Sequence, residues 1–214
     1  MFLFQRIRFT FVKLAALQLL FAFHQAQAQG FHIICSLGGN PGYNPLYDQP
    51  PTAYAVAEIN QIASHLCPMG CGSFSLVGNP FVPNAAALTL APGVTKIAYN
   101  PVFMNNLHFT YGPAASYGVL AHEFGHHIDF FNPAAWMDHS WGRELRADAW
   151  AGCALAKAGL GIQEMSVALQ AIANYPSPSH PGWQQRLPAL YSGFINCGGR
   201  QQRWPQQSLP LTSR

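Results

Sequence analysis

Hydrophobic residues recur at helical spacing in several stretches of the chain, most clearly between residues 114 and 131. Four large apolar side chains follow one another there at intervals of four, four and three residues: Leu120, Phe124, Ile128 and Phe131. This spacing places them along one stripe of an α-helix, which an Asn-Pro pair at 132–133 ends. We expect the apolar stripe to face the core and the opposite, polar face to border a cleft.

The other patterned segments predict a mixture of helices and short strands. Helices are predicted over 53–66, 140–158 and 163–174, with a last ordered piece over 181–194. Strand-like runs lie at 73–77, 86–90 and 95–99, and 101–107 is a turn or a short helix. The chain is therefore expected to form a single α+β domain over 29–197, followed by a flexible C-terminal tail over 198–214.

The first 28 residues have the pattern of a secretory signal peptide. Three basic residues (Arg6, Arg8 and Lys13) precede an apolar run over 14–23, and Ala26-Gln27-Ala28 supplies a cleavage site. The apolar run is short for a membrane span, although an uncleaved anchor is the alternative. We expect the mature protein to be secreted or periplasmic, with no membrane span after signal cleavage.

Removal of this segment also changes the charge balance. The whole chain carries a formal charge of +3, but cleavage removes three of the 11 basic residues and no acidic one, leaving eight of each. With no basic patch, nucleic acid is not an expected partner. Five of the eight carboxylates lie between residues 123 and 148, which concentrates charge in one segment and favours a site there.

Five cysteines follow the predicted cleavage point: Cys35, Cys67, Cys71, Cys153 and Cys197. An exported protein can form disulfides, but an odd number leaves at least one thiol unpaired within the chain, and the connectivity stays open. The spacing of Cys67 and Cys71 suits a small disulfide loop or half of a metal site. Because no second Cys/His pair with zinc-site spacing accompanies them, structural cysteines are favoured.

The candidate chemistry is an H-E-x-x-H motif made by His122, Glu123 and His126. Two histidines four residues apart lie one above the other on a helix and can bind one Zn²⁺. Glu123 is rotated by about 100° from His122, which suits a general base acting on water rather than a ligand. The alternative is an amphipathic helix that carries histidines by chance.

A catalytic zinc site usually has three protein ligands, so a third is needed. Glu144 is the best candidate, and Asp148 lies one turn later on the same predicted helix, where it can accept the free ring N–H of a zinc-binding histidine. The alternative is that both are solvated carboxylates. His139 is a rival ligand, and His127 is interpreted as a supporting or core histidine that points away from the metal.

Several motifs together resemble the gluzincin metallopeptidases, in particular the bacterial neutral zinc metallopeptidases and the CAAX-prenyl or heat-shock membrane protease type. The motifs are H-E-F-G-H-H at 122–127, E-L-R-A-D-A-W-A-G at 144–152, P-N-A-A-A at 83–87, T-K-I-A-Y at 95–99 and S-H-P-G-W-Q-Q-R-L at 179–187. The resemblance covers roughly residues 82–193 in the family's order and lacks the transmembrane helices of the membrane-embedded relatives.

The resemblance implies a zincin-like domain, in which a small, mainly antiparallel sheet packs on the H-E-x-x-H helix beside a second E-x-x-x-D helix. It implies Zn²⁺ as cofactor, His122, His126 and Glu144 as its ligands, and Glu123 as the catalytic base. Asp148 is implied to lie behind the ligands, and His180 and Arg186 are implied to lie near the site, where they would steady an oxyanion or the helix of Glu144. For His180, a surface His-Pro turn is the alternative.

The expected activity is zinc-dependent hydrolysis of peptide bonds in a peptide or protein substrate, which would lie extended along the sheet edge. Two other functions remain open. One is a secreted zinc-binding pseudoenzyme without turnover. The other is a disulfide-containing structural or interaction domain whose histidines only pack.

Overall fold

Helices and one small sheet make up the part of the chain that the computed structural model describes. The described residues are 32–36, 43–91, 94–132, 139–174 and 176–200, with only the backbone given for 32–36. The predicted signal peptide over 1–28 lies outside them, as does most of the predicted tail. The α+β class expected from the sequence is confirmed.

Six α-helices and four strands are present within the described residues. The helices are α1 (Ala53–Leu66), α2 (Pro101–Tyr111), α3 (Pro113–Phe131), α4 (Ser140–Lys157), α5 (Ile162–Ile172) and α6 (Trp183–Asn196). The strands are β1 (His32–Ser36), β2 (Phe74–Gly78), β3 (Ala85–Ala91) and β4 (Val94–Tyr99). A short 3₁₀ turn at Pro45–Tyr47 precedes α1.

Polar caps explain where two of these helices begin. The Thr52 hydroxyl accepts a hydrogen bond from the Ala55 N–H and starts α1, as the sequence predicts. Asn100 accepts from the Val102 N–H, and Pro101 occupies the first helical position. With both signals in place, the segment that the sequence left between a turn and a short helix becomes α2.

The sheet has the strand order β1-β3-β4-β2. Strand β3 pairs antiparallel with β1 and with β4, whereas β2 pairs parallel with β4. Two of the three pairings are therefore antiparallel, as expected of a mainly antiparallel sheet. The parallel pair arises because β2 lies on the side of β4 that the β3–β4 hairpin leaves free.

Helix α3 is the centre of the fold, and it is buried on all sides. Residues 114–129 are all buried, because α1, α2, α4, α5 and the sheet pack around the helix. The prediction of a cleft along its polar face is therefore wrong, because that face packs against α4. Phe131, predicted to continue the apolar stripe, lies past the packed part of the helix and is 41% exposed.

Helices α4 and α6 approach closely because glycines face each other's backbone. A Cβ at Gly152 would overlap the carbonyl oxygen of Leu190, and a Cβ at Gly193 would overlap that of Ala149. The same helix pair is joined by a disulfide between Cys153 and Cys197. This contact places α6, and therefore Arg186, against α4.

The second disulfide links Cys67 and Cys71 just after α1. It selects the small loop over the half metal site among the two interpretations of this spacing. Cys35 lies in β1, of which only the backbone is described. None of the helices in the described ranges combines the length and the hydrophobicity needed to cross a membrane.

Gly193→Ala is predicted to destabilise the protein, because the added methyl group has no room between α6 and α4. Overpacking of this kind costs about 1–3 kcal/mol, and forced backbone separation raises the cost further. Gly161→Ala is the matched control, since nothing lies within 4 Å of the added Cβ. Chemical denaturation of both variants measures the difference, and equal stabilities would contradict the close approach.

Candidate metal centre

Three side chains from two helices meet between α3 and α4. Helix α3 contributes His122 and His126, and α4 contributes Glu144, with one ligand atom from each lying within 4.8 Å of the others. The Nε2 atoms of the two histidines are 3.1 Å apart. The Glu144 carboxylate oxygens lie 3.4 Å from the His122 Nε2 and 3.6 Å from the His126 Nε2. This group could hold a metal ion.

The group is shielded from water. His122, His126 and Glu144 are 0%, 1% and 3% exposed, and the neighbouring Glu123 is 0% exposed. Within the described part of the chain, Glu123 Oε1 beside this group is buried without a hydrogen-bond partner. Buried polar atoms without partners are rare in proteins, and a donor set of two imidazoles and a carboxylate fits a bound cation.

Asp148 orients the first histidine. The His122 Nδ1 lies 2.9 Å from the Asp148 Oδ1, so the ring donates its N–H to the carboxylate. In the neutral ring, the nitrogen that faces His126 and Glu144 then keeps its lone pair, as a metal ligand requires. This is the contact that the helical spacing of Glu144 and Asp148 predicts.

Arg186 anchors Asp148 from the opposite side. Its Nε and Nη2 donate to the two carboxylate oxygens at 2.8 and 2.7 Å, a bidentate geometry. The guanidinium is fully buried in spite of its charge. Of the two roles that the resemblance leaves open for Arg186, the geometry favours support of the helix that carries Glu144.

Burial and neighbouring charges shift the pKa values in opposite directions. Burial lowers the pKa of His122, but Asp148 and Glu144 outweigh it and raise that pKa to about 9. Burial also lowers the pKa of His126, here to about 3, with Glu144 offsetting only part. Burial raises the pKa of Glu144, but His122, His126 and Arg186 outweigh it and lower that pKa. The effect of burial on Asp148 is likewise outweighed by Arg186 and then His122, which lower its pKa. Both carboxylates are therefore ionised.

Glu123 is held by the sheet rather than by another side chain. Its Oε2 accepts a 2.8 Å hydrogen bond from the backbone N–H of Ala87 in β3. Burial raises the pKa of Glu123 to about 7, assisted by the Glu144 charge and opposed by His122 and the Ala87 N–H. A carboxyl group with a pKa near neutrality can take up a proton and release it again.

The remaining predicted residues differ in their distance from the His122–His126–Glu144 group. The His180 Nε2 lies 3.7 Å from a Glu144 oxygen, so His180 borders the group. His139 caps α4 by accepting the Trp141 N–H and is exposed, outside the His122–His126–Glu144 group. His127 hydrogen-bonds Thr95 and packs against Phe74 in the core.

Two features of the site escaped the sequence analysis. The Ala87 N–H was not identified, although the P-N-A-A-A motif placed a strand beside the helix. The second is the ion pair between Asp129 and Arg146 (2.7 Å), to which the Trp150 ring N–H adds a hydrogen bond of 3.0 Å. The one available signal was that Arg146 and Trp150 are four residues apart on one helix.

Comparison of this chain with family models, curated proteins and solved structures finds no match. The resemblance to gluzincin metallopeptidases therefore rests on the sequence motifs and stays a prediction. What the structure adds is a buried group of two histidines and a glutamate that could hold a metal ion.

Proposed function

We propose that this chain is an exported zinc-dependent metallopeptidase with a zincin-like domain. His122, His126 and Glu144 would bind Zn²⁺, and Glu123 would act as the general base. The observation that carries the proposal is the buried His–His–Glu group with a second, independently held glutamate next to it in the chain. No simple packing role requires these four polar side chains in the core.

Zinc is the metal proposed because of the ligand set and its support. Two histidines and a carboxylate are a common set of protein ligands for catalytic zinc, and the Asp148–His122 hydrogen bond supplies the usual support behind a ligand. When bound there, zinc would act as a Lewis acid that polarises a carbonyl group and lowers the pKa of water.

Glu123 is suited to move the proton. The Ala87 N–H holds one carboxylate oxygen, while Oε1 has no partner among the described residues and is available to accept a proton from water. With a pKa of about 7, the same group can then deliver that proton to the amine that leaves. His180 lies 3.7 Å from Glu144, so it would contact either a substrate or this proposed zinc-binding carboxylate.

The substrate would be an extended peptide that pairs with β3. This strand carries the N–H that holds Glu123, and β4 occupies its other edge. In the structure β1 pairs with β3 at this position, with Cys35 opposite Ala87. A peptide that adds a strand here would have to take the place of β1. We therefore propose that β1 blocks the site until it is displaced.

Export is supported by the signal-peptide pattern together with the disulfides Cys67–Cys71 and Cys153–Cys197. Disulfides persist in oxidising compartments such as the periplasm and the extracellular space. Secretion or periplasmic location belongs to the same proposal.

A second candidate is a zinc-binding protein without turnover. The burial of the group favours it, because all three proposed ligands are at most 3% exposed and a substrate must reach them. Both candidates predict bound zinc, and only the first predicts peptide cleavage. The peptide-cleavage assay described below separates them.

The purified mature chain is predicted to carry one zinc ion per molecule. Glu144→Ala should weaken zinc binding by more than the roughly 10–100-fold typical of changes behind the ligands, because it removes a ligand. His139→Ala is the control, since this exposed histidine lies outside the group. Elemental analysis and chelator competition measure both. Equal zinc loss in the two variants would exclude Glu144 as the third ligand.

Glu123→Gln is predicted to keep zinc and the fold but to lower peptide turnover by at least about 100-fold, the lower end of general-base contributions. The amide oxygen can still accept the Ala87 N–H, so the change removes the proton acceptor and little else. A peptide-library assay on matched zinc-loaded samples measures the effect. Undiminished turnover in the variant would contradict the role of Glu123. Zinc without any turnover, both in the wild type and in a chain that lacks β1, would favour the second candidate.

A chain that starts at Tyr43 is predicted to cleave peptides faster than one that starts at Gln29, because it lacks β1. A synthetic peptide with the sequence of residues 30–37 should inhibit the shorter chain by refilling the edge of β3. Zinc content and thermal unfolding of both chains serve as controls. A shorter chain that retains zinc and folds, yet is no more active, would show that β1 does not block the site.

A further inference from the structure

A cavity of about 520 Å³ opens between α1, α2 and the start of α3. Its volume lies in the range of small-molecule binding sites, about 300–1,000 Å³. Its lining is mostly apolar and includes Tyr99, Met104 and Leu120. None of the residues assigned to the metal centre belongs to this lining, so the cavity is a separate feature.

Glu58 places a carboxyl group in this apolar lining. Glu58 is 7% exposed, and the Ser116 hydroxyl lies 3.3 Å from its Oε1 and 3.1 Å from the carbonyl oxygen of Pro113. Within the described residues no lysine, arginine or histidine forms an ion pair with it. Burial raises the pKa of Glu58 to about 7, while Tyr54 and Ser116 act in the opposite direction. The ionised form of a buried acid without a counter-charge is unfavourable, and a cationic ligand would stabilise it.

The rim of the cavity exposes large apolar side chains to solvent. Tyr54, Val102 and Phe109 are 50%, 66% and 78% exposed, and all three belong to the lining. The Tyr54 hydroxyl and the His108 Nδ1 are 3.2 Å apart at the same rim. Exposed aromatic rings around a cavity are typical of a binding site, and aromatic faces attract organic cations.

We propose that this cavity binds a small apolar amine, whose ammonium group pairs with Glu58 and whose hydrocarbon or aromatic body fills the apolar lining. The negative charge of Glu58 determines which class of ligand the cavity prefers. An ammonium supplies the counter-charge that Glu58 lacks and can also donate to the Ser116 oxygen. A carboxylate of the same size would meet the like charge of Glu58 beside the apolar lining, and a neutral alcohol would leave Glu58 without a counter-charge.

The site is independent of the proposed peptidase activity and can be tested by binding alone. Isothermal titration calorimetry on the mature chain would compare phenethylamine with 2-phenylethanol and 3-phenylpropionate, which have similar bodies but a neutral or an anionic end. We expect the amine to bind at least tenfold more tightly than the alcohol, and the carboxylate to bind most weakly. An alcohol that binds as tightly as the amine, or no amine binding at millimolar concentration, would overturn the proposal.

The variant that carries the test is Glu58→Gln, which keeps the shape of the side chain and removes its charge. It should abolish the preference for the amine, whereas Glu164→Gln, a carboxylate outside the cavity lining, should retain it. An unchanged amine preference in Glu58→Gln would overturn the proposal.

Amide chemical shifts of the wild type give a readout that needs no variant. The amine should shift Tyr54, Glu58 and Phe109, and shifts confined to other residues would locate the binding elsewhere and overturn the assignment.

Discussion

The buried carboxylate of Asp148 holds together the three helices that build the site. Arg186 of α6 binds both of its oxygens, and His122 of α3 donates to one of them. Removal of one partner from such a buried pair typically costs about 3–5 kcal/mol, because the other charge is left uncompensated. The orientation of His122 and the position of the α4 turn that carries Glu144 both depend on this interaction.

The packing on both sides of α4 also fixes the position of Glu144. On one side, Gly152 and Gly193 allow α4 and α6 to touch backbone to backbone, and the Cys153–Cys197 disulfide joins the same pair. On the other, Asp129 of α3 holds Arg146 and Trp150 of α4. Helix α4 is thus fixed against both neighbours, so that Glu144 reaches the two histidines without a flexible connection. Such preorganisation is what a metal site requires of its scaffold.

Burial of the His122–His126–Glu144 group is difficult to combine with the proposed activity. Burial raises the pKa of Glu123 to about 7 and strengthens the electrostatic interactions around it, but the proposed substrate would have to reach a group that is closed to water. Strand β1 lies on the edge of β3 beside Glu123, and its displacement is the proposed way to open the site. The cavity at Glu58 shows the opposite arrangement, because there the apolar walls are already open to solvent.

The sequence by itself determined the features that depend on local spacing. Helical periodicity and caps located four of the six helices in the described residues, and the four-residue spacings placed His122 over His126 and Glu144 over Asp148. Only the tertiary structure decided how distant segments meet: the pairing of Arg186 with Asp148, the parallel β2–β4 pair, the Ala87 N–H beside Glu123 and the burial of α3 on all sides. The physical reason is the distance along the chain over which each feature is determined. A residue's spacing within one helix follows from backbone geometry, whereas a contact between helices depends on the packing of the whole core.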